Sequence, residues 1–94
     1  MKIDIEDRHL KIVQEILRKY PYKFYVFGSR ARGGAKKFSD LDICFFDDIP
    51  LTELLRIEEA FEESDLPYKV DLISWNSMSD EFKEIIKNDL VQLF

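Results

Sequence analysis

Asp40 and Asp42 stand two residues apart in Ser39-Asp40-Leu41-Asp42-Ile43, and ten residues separate Asp40 from Ser29 of the pair Gly28-Ser29. The pattern is G-S-x10-D-x-D. In an extended strand alternate side chains share a face, so both carboxylates point one way while Leu41 and Ile43 point the other. Two like charges this close repel each other, and a divalent cation resolves the conflict. Mg²⁺ takes oxygen ligands, commonly one or two carboxylates completed by substrate phosphates. Gly28-Ser29 at a strand end, opening a short helix, offers a phosphate free amides, the positive end of the helix dipole and a hydroxyl. Asp71, in Lys69-Val70-Asp71-Leu72-Ile73, is the third acid. A charge in the middle of an apolar strand is costly unless exposed or paired. If its strand lies beside the Asp40 strand, three carboxylates converge, and such a cluster can hold two ions. Taken singly, each feature has an ordinary reading: an exposed strand edge, a turn, an edge-strand aspartate.

The elements that must position these residues alternate. Helical spacing of Leu10, Val13, Ile16, Leu17 and Tyr20 predicts a helix over about Asp7 to Lys19, capped by Asp4 or Asp7 and stopped by Pro21. Lys23 to Phe27 reads as a buried strand ended by Gly28, and Ser29 to about Ala35 as a short helix ended by Gly33-Gly34. Asp40 to Phe46 is the second strand. Pro50 suits the first turn of a helix running to about Glu63, with Leu51, Leu54, Leu55, Ile57 and Phe61 inward. Tyr68 to Ser74 is the third strand. Ser77 or Ser79 can cap a last helix from about Asp80 to Leu93, with Phe82, Ile85, Ile86, Leu90 and Leu93 on one face. The expected architecture is α/β (α+β): a small mixed sheet of three or more strands flanked by helices, in the order α-β-α-β-α-β-α. The central crossover is too short for a fully parallel, doubly wound sheet.

Ninety-four residues imply a single domain over positions 1–94. No apolar run approaches a membrane span, and the opening MKIDIEDRH is charged where a signal peptide would be apolar. Cys44 alone excludes an internal disulfide and a cysteine-cluster zinc site, and leaves the cytoplasm as the expected location. A net charge of −5 argues against general nucleic-acid binding. Arg30, Arg32, Lys36 and Lys37 nevertheless form a local cationic patch suited to a small polyanion such as a nucleoside triphosphate. The roles of Arg30, Lys36 and Lys37 are not fixed by this. His9 reads as a surface residue on the polar side of the first helix, and Cys44 as a buried small hydrophobe.

Gly28-Ser29-Arg30-Ala31-Arg32-Gly33, then Ser39-Asp40-Leu41-Asp42-Ile43, then Asp71 on a third strand, resemble the pattern of the minimal nucleotidyltransferases of the DNA polymerase beta-like superfamily. Gly34 departs from it, since many relatives carry an acid there. The resemblance implies a nucleotidyltransferase fold. It also implies that Gly28 and Ser29 bind the triphosphate of ATP, that Arg32 supports the phosphates or the turn, and that Asp40, Asp42 and Asp71 are catalytic and hold one or two Mg²⁺ ions. It further points to the antitoxin half of HEPN–MNT toxin–antitoxin pairs. There the enzyme transfers AMP from ATP to a tyrosine of the HEPN ribonuclease toxin, its hetero-oligomeric partner. The rival expectation is a non-catalytic antitoxin or nucleotide-sensing subunit that acts by binding.

Overall fold

The computed structural model describes residues 3–94; Met1 and Lys2 of the charged opening segment lie outside the described residues. Helix α1 (Asp7–Leu17) leads into β1 (Phe24–Phe27), the single-turn helix α2 (Ser29–Arg32) and β2 (Leu41–Phe45). Helix α3 (Leu51–Glu63) and β3 (Val70–Ser74) follow. A 3₁₀ turn at Trp75–Ser77, helix α4 (Asp80–Ile86) and β4 (Val91–Gln92) complete the chain. The four strands form one mixed sheet in the order β3-β2-β1-β4. β1 runs antiparallel to both β2 and β4, while β2 and β3 are parallel.

Alternation along the strands sorts the side chains. Phe24, Val26, Leu41, Ile43 and Phe45 fall on one face, where Val13 and Leu17 of α1 and Ile57 and Phe61 of α3 close the main core. The opposite face carries Phe27 and Cys44, covered by Ile86 of α4 with Tyr25, Ile73, Trp75, Met78 and Leu90 around them. Cys44 is fully buried, and burial pushes its thiol up to about 11, which makes it an inert packing group. Asp42 and Asp71 share this second face, beyond the cover of α4.

The mixed sheet and the alternation of helices and strands are as the sequence predicts, but four local readings are corrected. The last helix stops at Ile86, and the chain turns through 87–90 into β4. Leu93 is buried by following a strand, its amide bonded to the carbonyl of Phe24 at 3.0 Å, while Ile85 is 65% exposed. On α3 the sheet accepts only a narrow stripe: Ile57 and Phe61 are buried, whereas Leu51 and Leu55 are 68% and 54% exposed. On α1 the buried line is His9, Val13, Leu17, at i, i+4 and i+8, so His9 is an interior residue set edge-on against Tyr68 with ring centroids 5.5 Å apart. Neither Asp4 nor Asp7 caps α1. Glu6 occupies that position without a side-chain bond, and the Asp4 carboxylate instead accepts from the amide of Ala35 at 2.8 Å. Ser79 caps α4 as expected, accepting from the amide of Phe82 at 3.2 Å.

Candidate active site

The chain leaves β1 through Gly28, at φ 77° and ψ −155°, a conformation essentially reserved for glycine. Its carbonyl accepts from the amides of Ala31 and Arg32, both at 3.1 Å. The amides of Ser29 and Arg30 precede this first intrahelical bond and have no partner within the turn. The reversal lays Gly28 against β2: a Cβ placed on Gly28 would stand 2.6 Å from Oδ2 of Asp42. Only the absence of a side chain allows this approach. The Gly28 turn and the first strand acid are thus separated in sequence and adjacent in space.

Strand register builds the rest. Asp42 is opposite Phe27 on β1 and opposite Asp71 on β3, so the three make one row across the sheet. Asp40 lies just before β2 and is exposed, while Asp42 and Asp71 are half-buried. Burial, then the Asp71 charge, then the Asp40 charge push the Asp42 carboxyl above the usual carboxylate range. Lys69 Nζ lies 3.3 Å from Oδ1 of Asp71. Sequence reasoning passed over Lys69, although the alternation that pairs Asp40 with Asp42 equally puts Lys69 on the face of Asp71.

The cationic patch divides. Arg30 is 5% exposed and turned away from the acids. Its guanidinium donates to the carbonyl of Ser39 (Nε 3.1 Å, Nη2 2.8 Å) and to that of Asp4 (Nη1 2.8 Å). It also stacks 3.9 Å over the ring of Tyr68. With the Lys36 amide bonded to Ser39 Oγ at 2.9 Å, it fixes the loop that delivers Asp40. Arg32 reaches toward Asp89 at 3.8 Å and ties the turn after Gly28 to the α4–β4 connection. Lys36 and Lys37 are exposed. A phosphate site at this turn therefore rests on Gly28, Ser29 and backbone amides more than on arginines.

The row presents carboxylate oxygens, a donor type suited to a hard cation, with the Lys69 ammonium beside Asp71. Among the described residues no three His, Cys, Asp or Glu side chains lie close enough to cage an ion by themselves. Mg²⁺ does not need such a cage, since it keeps water and takes phosphate oxygens as well as one or two carboxylates. The mutual repulsion at Asp42 and the contact between Gly28 and its carboxylate fit an ion shared with a phosphate at the turn.

Comparison with known proteins places the chain in a family. The model of the nucleotidyltransferase domain family matches residues 6–93. The chain is 46% identical to the Haemophilus influenzae protein named "Probable protein adenylyltransferase MntA", over 92% of this chain and 79% of that protein. It is 36% identical to MJ1217 of Methanocaldococcus jannaschii, a candidate protein adenylyltransferase, over 96% of this chain and 92% of that one. A chain in the crystal structure of a mutant toxin–antitoxin MntA–HpeT assembly shares the fold, with a TM-score of 0.61 at 19% identity, over 90% of this chain and 71% of that one. With the Gly28 turn, the row of strand acids and a family match over nearly its whole length, the chain belongs to the nucleotidyltransferase domain family.

Proposed function

We propose that residues 1–94 form a single minimal nucleotidyltransferase domain that moves AMP from ATP to a tyrosine hydroxyl of a HEPN-domain ribonuclease toxin. This would make the chain the cytoplasmic antitoxin of the pair. The observation that carries the reading is the contact between the Gly28 turn and Asp42, in register with Asp71. The names of the relatives, protein adenylyltransferases, support the reaction class. The shared fold with a toxin–antitoxin assembly is compatible with the setting.

In this reading the amides of Ser29 and Arg30 and the Ser29 hydroxyl bind the triphosphate at the Gly28 turn. Arg32 holds the turn in place through Asp89. Asp40, Asp42 and Asp71 would hold Mg²⁺, which supplies charge neutralisation of the phosphates and acidifies a hydroxyl. Asp71 takes up the proton of the acceptor hydroxyl. The acceptor oxygen bonds to the α-phosphorus as the bond to pyrophosphate breaks, leaving AMP on the acceptor. Positioning and electrostatics supply most of the rate.

The test is intact-mass measurement of the partner toxin after incubation with the chain, ATP and Mg²⁺. Wild type adds one or more AMP units, and the Asp40→Ala, Asp42→Ala double variant adds none while keeping its circular dichroism. Undiminished AMP incorporation by the double variant would sink the reading.

A further inference from the structure

Strand β3 is an outer strand of the sheet, and among the described residues no strand pairs with its far edge. The carbonyl of Lys69 accepts from the amide of Leu41 at 2.9 Å, and β3 runs parallel to β2. In a parallel ladder alternate residues bond inward, so Lys69, Asp71 and Ile73 face β2. Val70 and Leu72 then turn their N–H and C=O groups outward. The Ser74 carbonyl is taken by the Ser77 hydroxyl at 2.7 Å, which bounds the open row at that end. Alongside the edge lies a groove of about 280 Å³. It is lined by Phe61, Leu66, Val70 and Leu72, by Glu58 and Glu62, one turn apart on α3 and both exposed, and by Tyr68 with Lys69 and Asp71, the last two on the other face of β3. An unpaired edge accepts an extended chain by hydrogen bonding, with pockets for alternate side chains giving selectivity.

Resting on the nucleotidyl-transfer reading above, we infer that the acceptor segment adds to β3 as an extended strand. The place it takes follows from strand geometry. Neighbouring strands lie about 4.8 Å apart, and a residue added opposite Asp71 stands on the same face. The Phe27–Asp42–Asp71 row then gains a fourth member, whose hydroxyl lies beside the acid that takes up its proton. Residues immediately before and after the hydroxyl residue point to the other face, toward the groove and the Glu58 and Glu62 carboxylates. Charge complementarity makes those flanking residues Lys or Arg. The acceptor is thus a basic, β-forming segment with a hydroxyl residue between two cations.

Two short synthetic peptides test this, one with tyrosine between Lys and Arg and one with tyrosine between two Glu. With ATP and Mg²⁺, wild type labels the basic peptide about tenfold or more over the acidic one, and the Glu58→Lys, Glu62→Lys variant reverses the preference. Leu72→Pro removes an outward amide without touching the β2 ladder, a substitution edge strands tolerate. It lowers labelling of the basic peptide about tenfold and leaves Mg-ATP binding, followed by calorimetry, unchanged. Should Leu72→Pro fail to fold, the surface charge variant decides alone. Equal labelling of both peptides by wild type and the charge variant overturns edge docking and leaves nucleotidyl transfer standing. So does labelling of an intact protein acceptor but of neither peptide. Binding of Mg-ATP with no AMP transfer to any peptide or protein overturns both. Dimerisation of the chain through β3, lost in Leu72→Pro, would assign the edge to a second copy and also overturn acceptor docking.

Discussion

Gly28→Ala separates backbone strain from damage to the acids, because Gly33 provides a matched control. Gly28 sits at φ 77°, ψ −155° and Gly33 at φ 92°, ψ 164°, both in a region where a side chain costs about 1–3 kcal/mol. A Cβ on Gly33 meets nothing within 4 Å, whereas on Gly28 it stands 2.6 Å from Asp42 Oδ2. The carboxylate must retreat by about 0.8 Å to reach the ordinary contact distance. Each variant should therefore lose about 1–3 kcal/mol in urea titrations, a fall in Tm of roughly 4–8 °C per kcal/mol for a domain of this size. Only Gly28→Ala should also lose AMP transfer, by about tenfold to a hundredfold, since displacements near 1 Å at a reacting centre cost about that much. Single-turnover rates under conditions where both variants are fully folded make the comparison. Equal rates in Gly28→Ala and Gly33→Ala would refute the claim that Gly28 is bare in order to seat Asp42.

Arg30→Met should destabilise the fold by about 2–4 kcal/mol, because it strips the buried guanidinium's charged donors from the Ser39 and Asp4 carbonyls. Transfer should fall further than folding accounts for, as the Asp40 loop loosens, and thermal melts with rates at low temperature read the two effects separately. Tyr68→Phe should leave stability unchanged or raise it by up to about 1 kcal/mol, since the Tyr68 hydroxyl is buried without a hydrogen-bond partner among the described residues and the ring alone carries the Arg30 stack. Asp42 sets a pH dependence. Its carboxyl is raised in the folded state by burial and by Asp71 and Asp40, so the folded chain holds that proton more tightly than the unfolded one. Stability of the metal-free protein should therefore fall as pH rises from the ordinary aspartate value through the raised one. Asp42→Asn should flatten that slope, by no more than about 1 kcal/mol because solvent screens a half-buried group. Mg²⁺ binding should show the opposite trend and weaken below the raised value, where the ion competes with a proton. Melts and calorimetry across the acid range check both signs.

What the sequence disclosed depended on whether a local pattern had one physical solution. Gly28 could end the preceding strand only by a turn a side chain forbids, and Asp42 falls opposite Leu41 and Ile43 by simple alternation, so these placements were legible, whereas Asp40 lies just before β2 rather than in it. Asp71 was legible as an oddity, a charge among Val70, Leu72 and Ile73, but its register opposite Asp42 belongs to the parallel pairing of β2 and β3. Lys69 was hidden because lysines are common on surfaces. Arg30 read only as part of a cationic patch of open role because its charge was visible and the carbonyls it serves were not. The end of the chain was misread because Ile86, Leu90 and Leu93 continue a helical spacing while Val91 and Leu93 also fit a strand. An open position beside β1, which only the assembled sheet presents, decides for the strand. His9 shows the same limit, since its neighbour Tyr68 comes from the bend before β3, far along the chain.

The most direct measurement asks whether neutralisation of the partner toxin depends on transfer or on binding. The chain, or its Asp40→Asn, Asp42→Asn, Asp71→Asn variant, is co-produced with the toxin, and both cell survival and the mass of the recovered toxin are read. The account predicts survival and an AMP-bearing tyrosine with wild type, and neither with the variant, although the variant remains folded. Full protection by the variant, with an unmodified toxin, would contradict it and make the row of acids irrelevant to neutralisation.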